Sequence, residues 1–250
     1  MKAARLTLIC ISIIAVGLMF TGISSEIIDE SLVLYLPLDD VIGETVKDFS
    51  QYGNDGVLIG SPKLVDGKFG KALELPSTKD GIKVQHSDSL NWGDGPVTLE
   101  MWLKPYKGFQ GGIDKGTGTC YILGNHGLDL RLGKSGTGTL LKSNSELAVN
   151  EWSHIAAIKD GKKMRIYING VLDAEGETNE TTVNNEEDLF IGKRPHFDEG
   201  IEGIIDEVRI WRRVLSKDEI KKYMEMGKEQ FSAVDLSGKL TTTWASIKAK

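Results

Sequence analysis

The residues with the most chemical potential in this chain are acids, cations and aromatics set in strand-like alternation. In the stretch GIEGIIDEVRIW (200–211), Ile204, Asp206, Val208 and Ile210 share one face of an extended segment; Ile205, Glu207, Arg209 and Trp211 share the other. Asp206 is the one carboxylate on an otherwise aliphatic face. A buried carboxylate must be neutralised, hydrogen-bonded or bound to a cation, or simply cap backbone N–H groups. Upstream, VTLEMWL (97–103) sets Val97, Leu99, Met101 and Leu103 against Thr98, Glu100 and Trp102. Paired strands KMRIYIN (163–169) and SHIAAIK (153–159) add Arg165, Tyr167 and His154 to the polar and aromatic side. Trp102, Glu100, His154, Arg165, Tyr167, Arg209 and Trp211 thus form one candidate face. As a sugar-binding platform, its rings would stack on a pyranose while the charged groups take hydroxyls. As packing, the same rings would fill the gap beneath covering loops. Whether Trp102, Tyr167 and Trp211 are open or sealed decides between them.

Other chemistries lack their residues. His86, His126, His154 and His196 are scattered without metal-ligand spacing. No G-x-S-x-G element is present, Cys120 has no recognisable histidine partner, and the glycines of Lys115–Gly118 match no phosphate loop.

The elements that must position the candidate face are short strands. LVLYLPL (32–38) is a near-continuous apolar run, and VKDFSQYGNDG (46–56) is a polar, glycine-punctuated loop. KALEL (71–75) and IKVQ (82–85) flank an Asp80-Gly81 turn, and residues 108–118 are rich in glycine and expected to form a loop. Strands are expected at 121–123, 127–132, 139–142 and 189–193. Asp160-Gly161 marks a hairpin, since Asp-Gly supplies positive φ at a tight turn. Ser216 with Glu219 forms a capping box that opens a short helix closed by Gly227. About a dozen strands and one late helix imply an all-β protein, a two-sheet antiparallel β-sandwich.

Length and charge set the remaining bounds. Lys2 and Arg5 precede an apolar run from Leu6 to Phe20, and small residues follow at Gly22, Ser24 and Ser25, the order of a secretory signal peptide over residues 1–25. An uncleaved N-terminal anchor is the alternative, since Leu6–Ile23 nears the ~18–20 residues of a membrane span. Cleavage removes two cations and no acid, taking the formal charge from −6 to −8. That balance argues against nucleic acid as a partner, and the mature chain has no segment for a membrane. The expected organisation is a leader (1–25), a sandwich (30–227) and a tail (228–250) of unassigned role. Cys120 is left alone after Cys10 is removed, so no intrachain disulfide is expected. Asn179-Glu180-Thr181 is a glycosylation sequon, meaningful in a eukaryotic source.

Seven segments stand in an order that resembles the laminin-G-like jelly-roll domains of the concanavalin A-like lectin and glucanase superfamily. They are LYLPLDD (34–40), DFSQYGNDGVL (48–58), GKFGKALEL (67–75), VTLEMWLKP (97–105), NEWSHIAAIKDGKKMRIYINGVL (150–172), LFIGKRP (189–195) and GIIDEVRIWRRVLSKDEI (203–220). The resemblance implies a jelly roll. It also implies a structural calcium between an early loop and the late strand, with Asp48 and Asp206 as side-chain ligands and Gly53 or Asp55 giving a carbonyl. Glucanases of the superfamily carry E-x-D-x-x-E on one strand; this chain has no such triplet, and Glu100 is the one acid on its strand. The expectation is an exported, non-catalytic recognition module for a glycan or another extracellular surface. The alternative is a structural or adhesive module that binds protein.

Overall fold

The computed structural model describes residues 29–231, apart from 109–110, 117–120, 125–126, 133–138 and 181. The leader with Cys10, the single Cys120, His126, the last sequon position Thr181 and the tail beyond 231 lie outside the described residues. Among the described residues, no helix is long and apolar enough to cross a membrane.

The strands in chain order begin with β1 (Leu32–Leu36), β2 (Val41–Ile42), β3 (Thr45–Val46), β4 (Gly56–Ile59), β5 (Lys63–Asp66) and β6 (Lys71–Leu75). Next come β7 (Gly81–Val84), β8 (Val97–Pro105), β9 (Ile113–Lys115), β10 (Tyr121–Leu123), β11 (Asp129–Leu132) and β12 (Thr139–Lys142). The last are β13 (Ser153–Asp160), β14 (Lys163–Ile168), β15 (Val171–Glu177), β16 (Leu189–Ile191) and β17 (Gly203–Trp211), followed by α1 (Lys217–Tyr223).

Two antiparallel sheets result. The first runs β15-β14-β13-β8-β17-β6-β5, with β1 also on β17; the second runs β12-β11-β10-β9-β16-β7-β4-β3-β2. Alternation puts Leu99, Met101, Leu103, Ile155, Ala157 and Ile166 of the first sheet against Ile82, Ile113, Leu130 and Ile191 of the second, forming the inter-sheet core. The expected hairpin joins β13 to β14 with Gly161 at φ 57°, and the Ser216–Glu219 capping box opens α1. The strands flanking Asp80-Gly81 are no hairpin, because β6 and β7 lie in different sheets. Nor is 108–118 wholly loop: Ile113–Lys115 is a paired strand of the second sheet.

Strand β17 departs from simple alternation. Its first part, Gly203–Ile205, pairs with β6, whereas Val208–Trp211 pairs with β1. The register against β8 shifts between Asp206 and Arg209, and Glu207 takes a left-handed φ of 52°, a β-bulge at the change of neighbour. The extra residue reverses facing. Ile205, Val208 and Ile210 enter the inter-sheet core, Ile204 is only half-buried, and Asp206 faces away from that core. Its carboxylate meets the β5–β6 turn, accepting from Phe69 N at 3.0 Å and from Glu207 N at 2.9 Å.

A Cβ added at Gly67 would lie 2.7 Å from Asp206 Oδ2, 2.6 Å from Phe69 O and 2.9 Å from Ala72 Cβ. Gly67→Ala is therefore expected to destabilise the fold by about 2 kcal/mol or more, the range of buried overpacking. Urea denaturation checks this, and an unchanged midpoint would mean the turn does not hold the bulge.

Candidate functional site

The face expected to stack on a sugar is a sealed layer. Trp102 is 4% exposed, Tyr167 8% and Trp211 0%, and Glu100, His154 and Arg209 are wholly buried. They do share one surface, as strand parity implied, because Tyr35, Arg209, Glu100, Ala156 and Tyr167 are successive cross-strand partners. What covers them is α1 and the residues after it. Tyr223 stacks on Trp211 at 5.0 Å and 17°, and Phe231 packs on Tyr35 at 5.0 Å. The carbonyls at the helix end, which have no partner within the helix, are held by the sheet. Trp102 Nε1 donates to Met224 O at 2.9 Å, and Arg209 donates to Tyr223 O at 3.3 Å and Met226 O at 2.6 Å. Arg165 stands at the margin, donating to Glu175 at 2.7 Å.

Beneath this cover lies a charged cluster. Arg209 pairs with Glu207 and lies 3.6 Å from Glu100; Tyr35 Oη donates to Glu207 at 2.8 Å, and Trp211 Nε1 to Glu100 at 3.1 Å. Burial pushes Glu207 up to about 7 against the pull of Arg209, and Asp206 up to about 8 against the backbone donors. Burial also raises Glu100 and drops the His154 imidazole to about 3, so His154 is neutral.

The residues expected to hold calcium do not form one donor set. Asp48 Oδ1 accepts from Tyr35 N and Ser50 N at 2.9 and 2.8 Å; its Oδ2 accepts from Ser50 Oγ and Asn54 N, both at 2.6 Å. Asp55 accepts from Asp48 N and Lys47 Nζ, and Gly53 serves the turn between them with φ 65°. Asp206 bonds to the Gly67–Gly70 turn instead of this loop. Calcium needs six to eight convergent oxygens, and these carboxylates point their lone pairs at N–H and O–H donors in two separate places. The residues present do not fit the ion. Among the described residues, no three His, Cys, Asp or Glu side chains are grouped to hold a metal.

The outer face of the second sheet is built differently. Val57, Lys83, Phe190, Asp114, Ile122, Arg131 and Leu140 are successive cross-strand partners from β4 to β12. Their strand neighbours Ile82, Ile113, Leu123, Leu130 and Ile191 point into the core. Asp114 is wholly buried; its Oδ2 takes Arg194 Nε at 3.3 Å, while its Oδ1 has no hydrogen-bond partner. Arg131 Nε is also buried and without an acceptor. Arg194 reaches Glu199 at 2.5 Å and stacks on Phe197, whose ring is 44% exposed. Burial lifts Asp114 to about 6 despite Arg194. Both unmet atoms are out of reach of solvent, so the ingredients open to a polar ligand are the Phe197 ring, the fixed Arg194 guanidinium and Glu199. The alternation in IDK (113–115) places Asp114 on this outer side in the sequence.

The family model Laminin_G_3, described as Concanavalin A-like lectin/glucanases superfamily, matches residues 76–221. The chain belongs to that superfamily. Domain 4 of AbnA, a GH43 extracellular arabinanase from Geobacillus stearothermophilus, solved in complex with arabinotriose, superposes with a TM-score of 0.65. The two are 20% identical, and the match covers 77% of this chain and 97% of that one. The binding domain of Paraclostridial Mosquitocidal Protein 1 gives 0.62 at 19% identity, over 78% of this chain and 52% of that one. The binding domain of botulinum neurotoxin DC, in complex with rat synaptotagmin II, gives 0.62 at 16%, over 79% and 52%. The chain thus spans about half the length of the toxin domains. At these identities the likeness is one of fold. A search of curated proteins gives no match.

Because Glu207 and Asp206 have folded-state values above their ordinary 4.5 and 3.8, the fold holds their protons more tightly than the unfolded chain does. Their contribution is full below about pH 4 and is lost as pH rises through 7 to 8. The urea midpoint should fall between pH 5 and 8.5, and less steeply for Glu207→Gln. A wild-type midpoint constant over that range would contradict the buried cluster.

Proposed function

We propose that this protein is an exported, non-catalytic recognition module that binds a saccharide on the outer face of its second sheet. The observation that carries the reading is the exposed Phe197 ring stacked with Arg194, whose guanidinium is fixed between Asp114 and Glu199 at the margin of that face. The exposed Phe197 ring offers an apolar face to a sugar, and the Arg194 guanidinium and Glu199 carboxylate beside it can donate to and accept from its hydroxyls. The N-terminal sequence supports export. The arabinotriose complex of the AbnA domain supports saccharide as the ligand class. Non-catalytic action is supported by the spacing of acids: Asp114 and Asp129 are two strands and two residues apart, about 12 Å at ~4.8 Å per strand and ~3.4 Å per residue, beyond the ~5–5.5 Å of retaining and the ~6.5–9.5 Å of inverting glycosidases. Glu199 is held by Arg194. Calcium has no part in this reading.

A protein ligand on the same face is the second reading. Val57 at 45% and Leu140 at 41% exposure extend the row with apolar surface, and the toxin neighbour bound to synaptotagmin supports it.

Glycan-array screening followed by titration calorimetry tests the proposal. Asp114→Asn keeps the side-chain shape but removes the charge that fixes Arg194, and is expected to weaken saccharide binding about tenfold or more, near 1.4 kcal/mol. Phe197→Ala should weaken it as well. Silence across broad panels, neutral and acidic, would overturn the saccharide reading.

A further inference from the structure

The connection after β7 and the one before β16 meet at the rim of the second sheet. Between them is an open cavity of about 390 Å³ lined by His86, Asp88, Asn91, Asn184, Asn185 and Glu186. Its walls are tied to each other. Asn91 Nδ2 donates to Asn185 O at 3.0 Å, and Gly93 N donates to Asn184 Oδ1 at 2.9 Å. Behind them lies Lys115 of β9, wholly buried. Its Nζ donates to Glu187 O at 2.6 Å and to Asn185 Oδ1 at 3.2 Å, and stands 3.3 Å from His86 Nδ1. An ammonium has donors only, so His86 Nδ1 accepts and the ring hydrogen sits on Nε2. Burying an ammonium at a rim is costly. Here it fixes one wall of the cavity and the tautomer of a partly exposed ring in another.

The polar groups left over are accessible. His86 Nε2 stands 3.8 Å from Asp88 Oδ1, too far for a direct hydrogen bond, and Asp88 is fully exposed. The Asn184 amide nitrogen and the Glu186 carboxylate, both on exposed residues, have no hydrogen-bond partner among the described residues. This set discriminates among ligands. A metal ion is opposed by the hydrogen on His86 Nε2, since a ligating histidine offers a bare nitrogen there, and by the ammonium behind it. An anion is opposed by two carboxylates without a lysine or arginine partner among the described residues. A hydroxyl donates and accepts at once, and the 3.8 Å gap admits one oxygen that accepts from the ring and donates to Asp88.

We infer that this rim cavity is a second saccharide site that takes a neutral sugar unit through its hydroxyls, one bridging His86 Nε2 and Asp88, others meeting Asn184 and Glu186. It stands apart from Arg194 and Phe197, which follow the opposite end of β16, and so goes beyond the site proposed above.

Amide NMR of the protein tests it, titrating arabinose, xylose, glucose, galactose, mannose and their neutral oligosaccharides, and separately galacturonate and calcium chloride. At least one neutral sugar should shift the amides of residues 86–91 and 184–187, equally in wild type and in Phe197→Ala. Asp88→Ala removes an exposed side chain that holds no part of the fold. It should weaken that binding about tenfold at the wild-type melting temperature, and Glu186→Ala should act in the same direction. Shifts confined to the surroundings of Arg194 and Phe197 would overturn the second site and leave the first standing; shifts confined to the rim would support the second and overturn the first. Rim shifts produced by calcium chloride in place of sugar, or by galacturonate more than by galactose, would overturn the ligand class. Rim binding indifferent to both Asp88→Ala and Glu186→Ala would overturn the assigned contacts. No shift with any sugar would remove both sites.

Discussion

Strand β17 changes neighbours half way along, from β6 to β1, and the bulge at Asp206–Glu207 is what permits the change. The left-handed backbone at Glu207 is unfavourable for a residue with a side chain. It is held because Asp206 caps Glu207 N and a backbone N–H of the β5–β6 turn, while Glu207 is drawn to Tyr35 and Arg209. Reversed facing beyond the bulge turns Arg209 and Trp211 to the outer surface of the first sheet and leaves Val208 and Ile210 in the core.

From that reversal follows the fate of the first sheet's outer surface. Arg209 presents donors to the carbonyls at the end of α1, and Trp211 presents a ring to Tyr223. A cation at a helix C-terminus is favourable electrostatically, and the aromatic cover excludes water. The cluster is not simply a source of stability: buried carboxylates are costly, and their partners offset that cost in part. Its clearer consequence is geometric. One sheet is closed by the chain itself, and the exposed ring of Phe197 with its Arg194 and Glu199 neighbours lies beside the other sheet.

Much of the fold was legible because alternation, turn chemistry and capping act locally. The Asp160-Gly161 hairpin and the Ser216 cap are short-range devices whose residue types nearly dictate their geometry. The co-facing of Trp102, Glu100, His154, Tyr167 and Trp211 was also readable, since each strand's parity is local. Their burial was not: it depends on α1 arriving from beyond β17, a long-range event without a local signature. The bulge was hidden for a related reason. IIDEVRIW keeps perfect alternation on paper, and only the change from β6 to β1 demands the extra residue, so Asp206 was assigned to the wrong side. Asp48 reads equally well as a calcium ligand or a loop cap, and its four donors are visible only in three dimensions. Asp114 was obscured by glycine-rich surroundings that masked a three-residue strand.

The central claim is that recognition belongs to the second sheet because the first is sealed. Amide chemical-shift mapping during saccharide titration tests it most directly. The account predicts that perturbed amides cluster on β9, β10, β11 and the β16–β17 connection around Arg194 and Phe197, with α1 unmoved. Perturbations centred on Trp102, Tyr167 and Trp211, with release of α1 from the sheet, would contradict it.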